Sequence, residues 1–310
     1  MVSRARLTVR VTSLLTGLVL TVLAFTVPPA ASAGAAVATP AASVPVASVP
    51  AGPAGVAAKA AAVENAATGQ LLWSRAENTE RPMASITKVM TAFVVISEGH
   101  LDRRITIPSA VVAYVRKYDA SNAGLRPGDT LTARQLLYAL LLPSGADAAY
   151  ALAGAYGPGT GRFIAKMNAV ARLLHMTRTH FSTFDGLPWP TPYSNYSTAA
   201  NLLTLGRVAM RSPVFRAVVD QRSYRIGAGS GHHAYLWRNL NPLLGHYPGV
   251  TGIKPGYTGA AGQCLLFEAT RNGYSVIGVT LDSPGTITAA NSSDATRILN
   301  WAFTAGARHR

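Results

Sequence analysis

The stretch RPMASITKVMTAFVV, residues 81–95, sets Ser85 and Lys88 three positions apart in a run that is otherwise apolar. Ile86, Val89, Met90, Phe93, Val94 and Ile96 leave little polar surface on a helix, and Gly99 supplies a C-terminal stop. Ser85 falls in the first turn, where free N–H groups and the helix dipole favour developing negative charge, and Lys88 lies one turn later on the same side. Burial disfavours a protonated ammonium and lowers its pKa, which turns a lysine into a base usable near neutral pH. A neutral Lys88 can take the Ser85 proton as the hydroxyl attacks a carbonyl, giving an acyl-enzyme. Read alone, the pair also fits a capping serine followed by a lysine that reaches to solvent. The chain has five lysines against 23 arginines, and only Lys88 has a serine three residues before it. Arginine cannot be deprotonated in a protein, so a site needing a base could not follow that bias.

Two further stretches have matching chemistry. In LLLPSGADAAYA, Ser144 occupies a break between two helical segments, where a hydroxyl can face a cleft and relay a proton; such a Ser-Gly is also an ordinary turn. In GVTGIKPGYTGAAG, Lys254 precedes a C-terminal hairpin with glycines on both sides, which allows close approach of a ligand to the backbone; a solvated strand lysine is the simpler alternative.

The elements around these residues are read from pattern. AAAVENAATGQLLWSRA forms a β-hairpin about NAATGQ, and GQCLLFEAT and YSVIGVTLD form another, with Asn272 and Gly273 in the turn. Helices are expected over TARQLLYALLL with Thr132 as cap, over DAAYALAGAYG and GRFIAKMNAVARLLHM, over STAANLLTLGRVAM from Ser197, and over DATRILNWAFTAG. Strands at both ends of a helical middle predict a mixed α/β fold: an antiparallel sheet covered by helices, with both chain ends in the same sheet.

Composition bounds the setting. The chain has 310 residues and 49% hydrophobic content, enough for a sizeable core. Arg4, Arg6 and Arg10 precede the apolar run VTSLLTGLVLTVLAFTV, and Ala31–Ala33 offer a small-residue cleavage site, so residues 1–33 read as a signal peptide; a retained membrane anchor is the alternative. Residues 34–58 are rich in Ala, Val and Pro and read as a linker, leaving 59–306 as the folded domain. Without the first 33 residues, 25 basic residues remain against 13 acidic ones. That charge favours an anionic surrounding, but the basic residues are scattered and no nucleic-acid motif accompanies them; an exported cationic protein meets wall polymers or substrates with free carboxylates. Cys264 is the only cysteine, which excludes an intramolecular disulfide and reads as a small buried hydrophobe.

Taken together, RPMASITKVMTA, LRPGDTLTARQLLYALLLPSGADAA, NYSTAANLLTLGR, WRNLNPLL and YPGVTGIKPGYTGAAGQCLL occur in an order that resembles the serine D-alanyl-D-alanine carboxypeptidases. These are the low-molecular-mass penicillin-binding proteins of the Ser-x-x-Lys acyltransferase superfamily. The resemblance implies a β-lactamase/transpeptidase-like fold, with a five-stranded antiparallel sheet and a helical subdomain. It implies Ser85 as nucleophile, Lys88 as general base, Ser144 as proton relay and Lys254 as the cation that binds the substrate carboxylate and tunes Ser144. The oxyanion hole would be the backbone N–H groups of Ser85 and Tyr257. It implies peptidoglycan stem peptides as substrate, β-lactams as covalent inhibitors, and no metal or organic cofactor.

Two positions depart from the family pattern. Ala146 stands where the second motif, Ser-x-Asn, has an amide, and Pro255 stands where the third, Lys-Thr-Gly, has threonine. Losing such an amide costs about 1 to 3 kcal/mol. Alternation puts the nitrogens of residues 255 and 257 on one strand edge, which proline tolerates if that edge is free. Thr258 is a candidate to replace the lost hydroxyl. The alternatives are a wall-binding protein that has lost catalysis and a serine β-lactamase; the second lacks the Glu-x-x-Leu-Asn segment of the class A enzymes.

Overall fold

The computed structural model describes residues 52–285 and 290–305. The expected signal peptide, and the expected linker up to residue 51, lie outside the described residues. The packed body begins before Lys59: Val56 and Ala58 are buried, Arg75 donates to the Val56 carbonyl at 2.5 Å, and Ala57 N donates to Asp294 Oδ1 at 2.9 Å.

The strands are β1 Ala60–Asn65, β2 Leu71–Arg75, β3 Arg81–Pro82, β4 Arg104–Thr106, β5 Thr130–Thr132, β6 Tyr196–Ser197, β7 Ser223–Ile226, β8 Tyr235–Arg238, β9 Val250–Thr258, β10 Gly262–Arg271 and β11 Tyr274–Ser283. The helices are α1 Thr87–Glu98, α2 Ala110–Tyr118, α3 Ala133–Leu141, α4 Ala146–Tyr156, α5 Thr160–Leu173, α6 Ala199–Met210, α7 Pro213–Val219 and α8 Ala290–Ala305, with a 3-10 turn at Ala84–Ile86. The main sheet has five antiparallel strands in the order β2-β1-β11-β10-β9. Both expected hairpins are present, and β1 pairs with β11 in the register Ala60↔Leu281, so the first and last strands of the described residues are neighbours in the sheet.

Alternation builds two layers from one sheet. Ala60, Ala62, Cys264, Leu266, Ile277 and Val279 pack into the core shared with α1 and α6, while Ala61, Val63, Leu265, Phe267 and Val276 pack against Ile298, Leu299 and Ala302 of α8. Because both faces are covered, β1 and β10 read as continuous apolar runs rather than as alternating ones. The helical region stands beside this sandwich, and α1 runs through it with Thr87–Ala92, Val94 and Val95 all buried. A helix buried on nearly all sides needs apolar residues on nearly all sides, as its sequence has. The start of α3 is fixed by a capping box: Thr132 Oγ1 accepts from Gln135 N at 3.1 Å and Gln135 Oε1 accepts from Thr132 N at 2.8 Å. Helix α6 begins one residue later than Ser197 suggests. Thr198 Oγ1 accepts from Asn201 N at 3.1 Å, whereas the Ser197 hydroxyl is paired with Thr179.

Candidate active site

Ser85 sits in the 3-10 segment Ala84–Ile86 that leads into α1. Ser85 is the one partly exposed residue between Pro82 and Ala92, so its hydroxyl alone in that run opens to the outside. Lys88 Nζ donates to Ser85 Oγ at 3.0 Å and to the Asp185 carbonyl at 2.8 Å. Burial lowers the Lys88 pKa to about 8, against the opposing pull of the Asp185 and Asp147 carboxylates. About a tenth of such an amine is neutral at pH 7. The arrangement is that of a hydroxyl with its base already in hydrogen-bond contact.

Strand β9 forms the opposite wall as the free edge of the sheet. Pro255 has no N–H to give to β10, and its carbonyl accepts from Lys254 Nζ at 3.0 Å, so its polar backbone faces away from the ladder. Two residues on, alternation points the Tyr257 N–H to the same free edge. Gly256 brings this edge against the Ser85 turn: a Cβ there would lie 2.9 Å from Ser85 N and 3.1 Å from Met83 O. On the other side of the turn, Gly186 (φ +87°) would place a Cβ 2.0 Å from the Ala84 carbonyl. Ala84 itself is held at φ +47°, a strained conformation for a residue with a side chain.

Ser144 lies in the break between α3 and α4 at φ +64°, buried, and its hydroxyl has no hydrogen-bond partner among the described residues. Its backbone is fixed from the loop before α3, where Ser121 Oγ donates to the Ser144 carbonyl at 2.7 Å. Asp147 Oδ atoms accept from the N–H groups of Ala123, Leu125 and Ala148 at 2.9 to 3.0 Å, which ties that same loop to the first turn of α4. Lys254 is fully buried, not a solvated strand residue, and burial followed by the charge of Lys88 lowers its pKa. Its ammonium bonds the Pro255 carbonyl, not the Ser144 hydroxyl. Thr258 Oγ1 accepts from Ala261 N at 3.1 Å in the β9–β10 turn.

Ser85, Lys88, Ser144, Lys254, Tyr257 and Thr258 all line one cleft of about 520 Å³, together with Ala146 and Pro255. The six residues singled out in the sequence are therefore brought together.

The chain matches the family described as D-alanyl-D-alanine carboxypeptidase over residues 46–285. It belongs to that family. It is 43% identical to the D-alanyl-D-alanine carboxypeptidase of Streptomyces sp. (strain K15) over 251 residues, 77% of this chain and 84% of the relative. It is 40% identical to D-alanyl-D-alanine carboxypeptidase DacB2 of Mycobacterium tuberculosis over 212 residues, 68% of this chain and 69% of the relative. The crystal structure of the Streptomyces DD-transpeptidase from the same strain superposes with a TM-score of 0.75 at 42% identity, covering 80% of this chain and 98% of that one. The D-alanyl-D-alanine carboxypeptidase fold of this family is thus the mixed α/β arrangement described above.

Several residues that shape this carboxypeptidase cleft were not apparent in the sequence. Asp185 supplies the second acceptor for Lys88, and its own carboxylate is held by Tyr114 Oη at 2.8 Å and Leu187 N at 3.1 Å. Thr91 donates to the neighbouring Phe184 carbonyl, which fastens the segment to α1. The dense turn residues of FDGLPWP were the available sign of a structured loop there. Asp147 and Ser121 act one layer back, on the backbone of the Ser144 turn.

Proposed function

We propose that this chain removes the terminal D-alanine from D-alanyl-D-alanine-ended wall peptides through an ester on Ser85. The observation that carries the reading is the 3.0 Å contact between Ser85 Oγ and a buried lysine amine in a cleft edged by β9. In acylation, Ser85 Oγ bonds to the carbonyl carbon of the penultimate D-alanine and its proton passes to neutral Lys88. The oxygen of the tetrahedral adduct takes the negative charge between the N–H groups of Ser85 and Tyr257. On collapse, the C–N bond breaks and the leaving nitrogen receives the proton held by Lys88 by way of the Ser144 hydroxyl, which has no hydrogen-bond partner among the described residues; Lys88 is left neutral. In deacylation, Lys88 takes a proton from water as it attacks the ester, and Ser85 leaves as the restored hydroxyl.

Lys254 receives the terminal carboxylate. An ammonium shielded from water is disfavoured, and an arriving anion reverses that, so substrate binding draws a proton onto Lys254. Thr258 offers the hydroxyl that Pro255 lacks: its oxygen accepts from Ala261 N and its proton remains to be donated into the cleft. β-Lactams acylate the same Ser85. Residues 1–33 direct export, the segment from residue 34 to about residue 51 tethers, and the protein works at the wall or cell surface.

The test is D-alanine release from a D-alanyl-D-alanine-ended peptide by the purified protein, with Ser85→Ala beside it. Release that vanishes in the variant is expected; release that persists, or a folded wild type that neither releases D-alanine nor is acylated by penicillin, overturns the reading. Thr258→Ala is expected to lower kcat/KM by about tenfold, and unchanged kinetics would remove Thr258 from the scheme.

A further inference from the structure

A second recess, about 460 Å³, opens beside the catalytic cleft. It is lined by Arg222, Arg238 and His246 together with Asn239, Asn241 and Leu240, and Leu240 lines the catalytic cleft as well. Leu240 N donates to the Leu142 carbonyl at 3.1 Å, which fixes this wall two residues before Ser144. Arg238 stands opposite Ser223 in the β7–β8 pair, and the Arg222 guanidinium lies against Gly245, where a Cβ would be 2.8 Å from its Cζ.

Neither arginine has a carboxylate within 4.0 Å among the described residues. Asp220, two positions before Arg222, makes no ion pair with it. Asn241 is buried, its Oδ1 accepts from Leu243 N at 3.1 Å, and its Nδ2 has no partner among the described residues. Asn239 is held by its amide nitrogen, which donates to the Val219 and Gln221 carbonyls at 3.0 and 2.9 Å. A recess that presents two guanidinium groups without a carboxylate partner attracts an oxyanion.

We propose that this recess binds a second carboxylate of the substrate peptide, on the N-terminal side of the scissile bond. The inference rests on the carboxypeptidase reading of the cleft. There, Lys254 takes the terminal carboxylate and a single residue follows the scissile bond, so any further carboxylate of the peptide lies on the acyl side. The shared Leu240 wall lets a peptide acylating Ser85 extend into the recess without leaving the surface. Guanidinium groups forked around a carboxylate give this arm both attraction and orientation.

The experiment compares two D-alanyl-D-alanine-ended peptides that differ only in whether an upstream side chain is a carboxylate or its amide. The wild type is expected to favour the carboxylate in kcat/KM, and Arg222→Gln with Arg238→Gln is expected to reduce that preference by about tenfold, chiefly through KM. Both side chains are exposed, so the variants keep the fold. A wild-type preference near one, or a preference that the double variant retains, overturns the proposal. A wild type that hydrolyses neither peptide condemns the carboxypeptidase reading itself, whereas hydrolysis of both at equal rates condemns only the recess. If the preference is absent and the variant instead loses retention on a polyglycerol-phosphate polymer, the recess serves wall-polymer phosphates and the peptide assignment falls.

Discussion

Replacing Lys88 with methionine should abolish D-alanine release and make the protein more stable. The amine has its usual pKa of 10.5 in the unfolded chain and about 8 in the fold, where burial outweighs the attraction of Asp185 and Asp147. A depressed folded pKa means that the unfolded chain binds more protons between these values, so stability rises with pH across pH 8 to 10.5 and the penalty is fully present below pH 8. At pH 7 that penalty is about 3 kcal/mol. Methionine also gives up the bonds to Ser85 Oγ and the Asp185 carbonyl, each worth about 1 kcal/mol, while filling nearly the same volume. The net gain at pH 7 is about 1 to 2 kcal/mol, and removing the Lys88 charge relieves Lys254 in the same direction. At pH 9.5 the penalty on the wild type has fallen to about 1 kcal/mol, so the advantage of Lys88→Met should shrink or vanish. Urea unfolding of both proteins at the two pH values measures this. A variant less stable than the wild type at pH 7, or a stability gap indifferent to pH, would refute the argument that the fold carries a destabilising amine for chemistry.

The same amine predicts that kcat/KM falls about tenfold per pH unit below pH 8 and levels off above it; a flat profile from pH 6 to 8 would exclude Lys88 as the base. Gly256→Ala puts a methyl 2.9 Å from Ser85 N and forces β9 and the Ser85 turn apart by a few tenths of an ångström. Penicillin acylation should slow by about tenfold or more with little change in the unfolding midpoint, because a displacement of that size matters more to the chemistry than to the core; a wild-type acylation rate would show that the edge has room. Tyr114→Phe removes the phenol bond to Asp185 and loosens the carbonyl that holds Lys88. Its kcat should fall about fivefold at unchanged KM, and a loss confined to KM would place Tyr114 in substrate binding instead.

What the sequence disclosed and what it hid divide along the range of the interactions. The hairpins about NAATGQ and Asn272-Gly273, the Thr132 cap, and the pairing of Ser85 with Lys88 are set within a few residues, and each is present in the structure; the reciprocal bond from Gln135 that completes the capping box was not read from the sequence. The Asp185 carbonyl is 97 positions from the lysine it holds, and nothing near Lys88 announces it. Helices α2 and α7 are short and were not expected; α7 rests on the Ser212 cap and Pro213 at its first position. The burial of Lys254 was equally hidden, because a lysine flanked by glycines in a strand reads as solvated until the edge of the sheet is known to face α1. Thr198 and Ser197 carry the same hydroxyl, and only the competing bond from Ser197 to Thr179 decides which one caps α6.

The two departures from the family motifs have a common answer in the backbone. Ala146 removes a side-chain amide near Lys88, yet Lys88 already has a second acceptor in the Asp185 carbonyl. Pro255 removes a hydroxyl and an N–H, yet it occupies a free edge where no ladder bond is lost, and its carbonyl still takes the Lys254 ammonium. The groups proposed to hold charge in this cleft are therefore largely peptide groups: the Asp185 and Pro255 carbonyls, and the Ser85 and Tyr257 amides. Substitution leaves such groups in place, so what must be preserved is their position. That requirement falls on Gly186 and Gly256, where any Cβ would meet the Ser85 turn, and on Tyr114 and Asp147, whose side chains hold the surrounding loops. A site built in this way should tolerate Ala146 and Pro255 and should lose activity when a glycine behind it gains a methyl group.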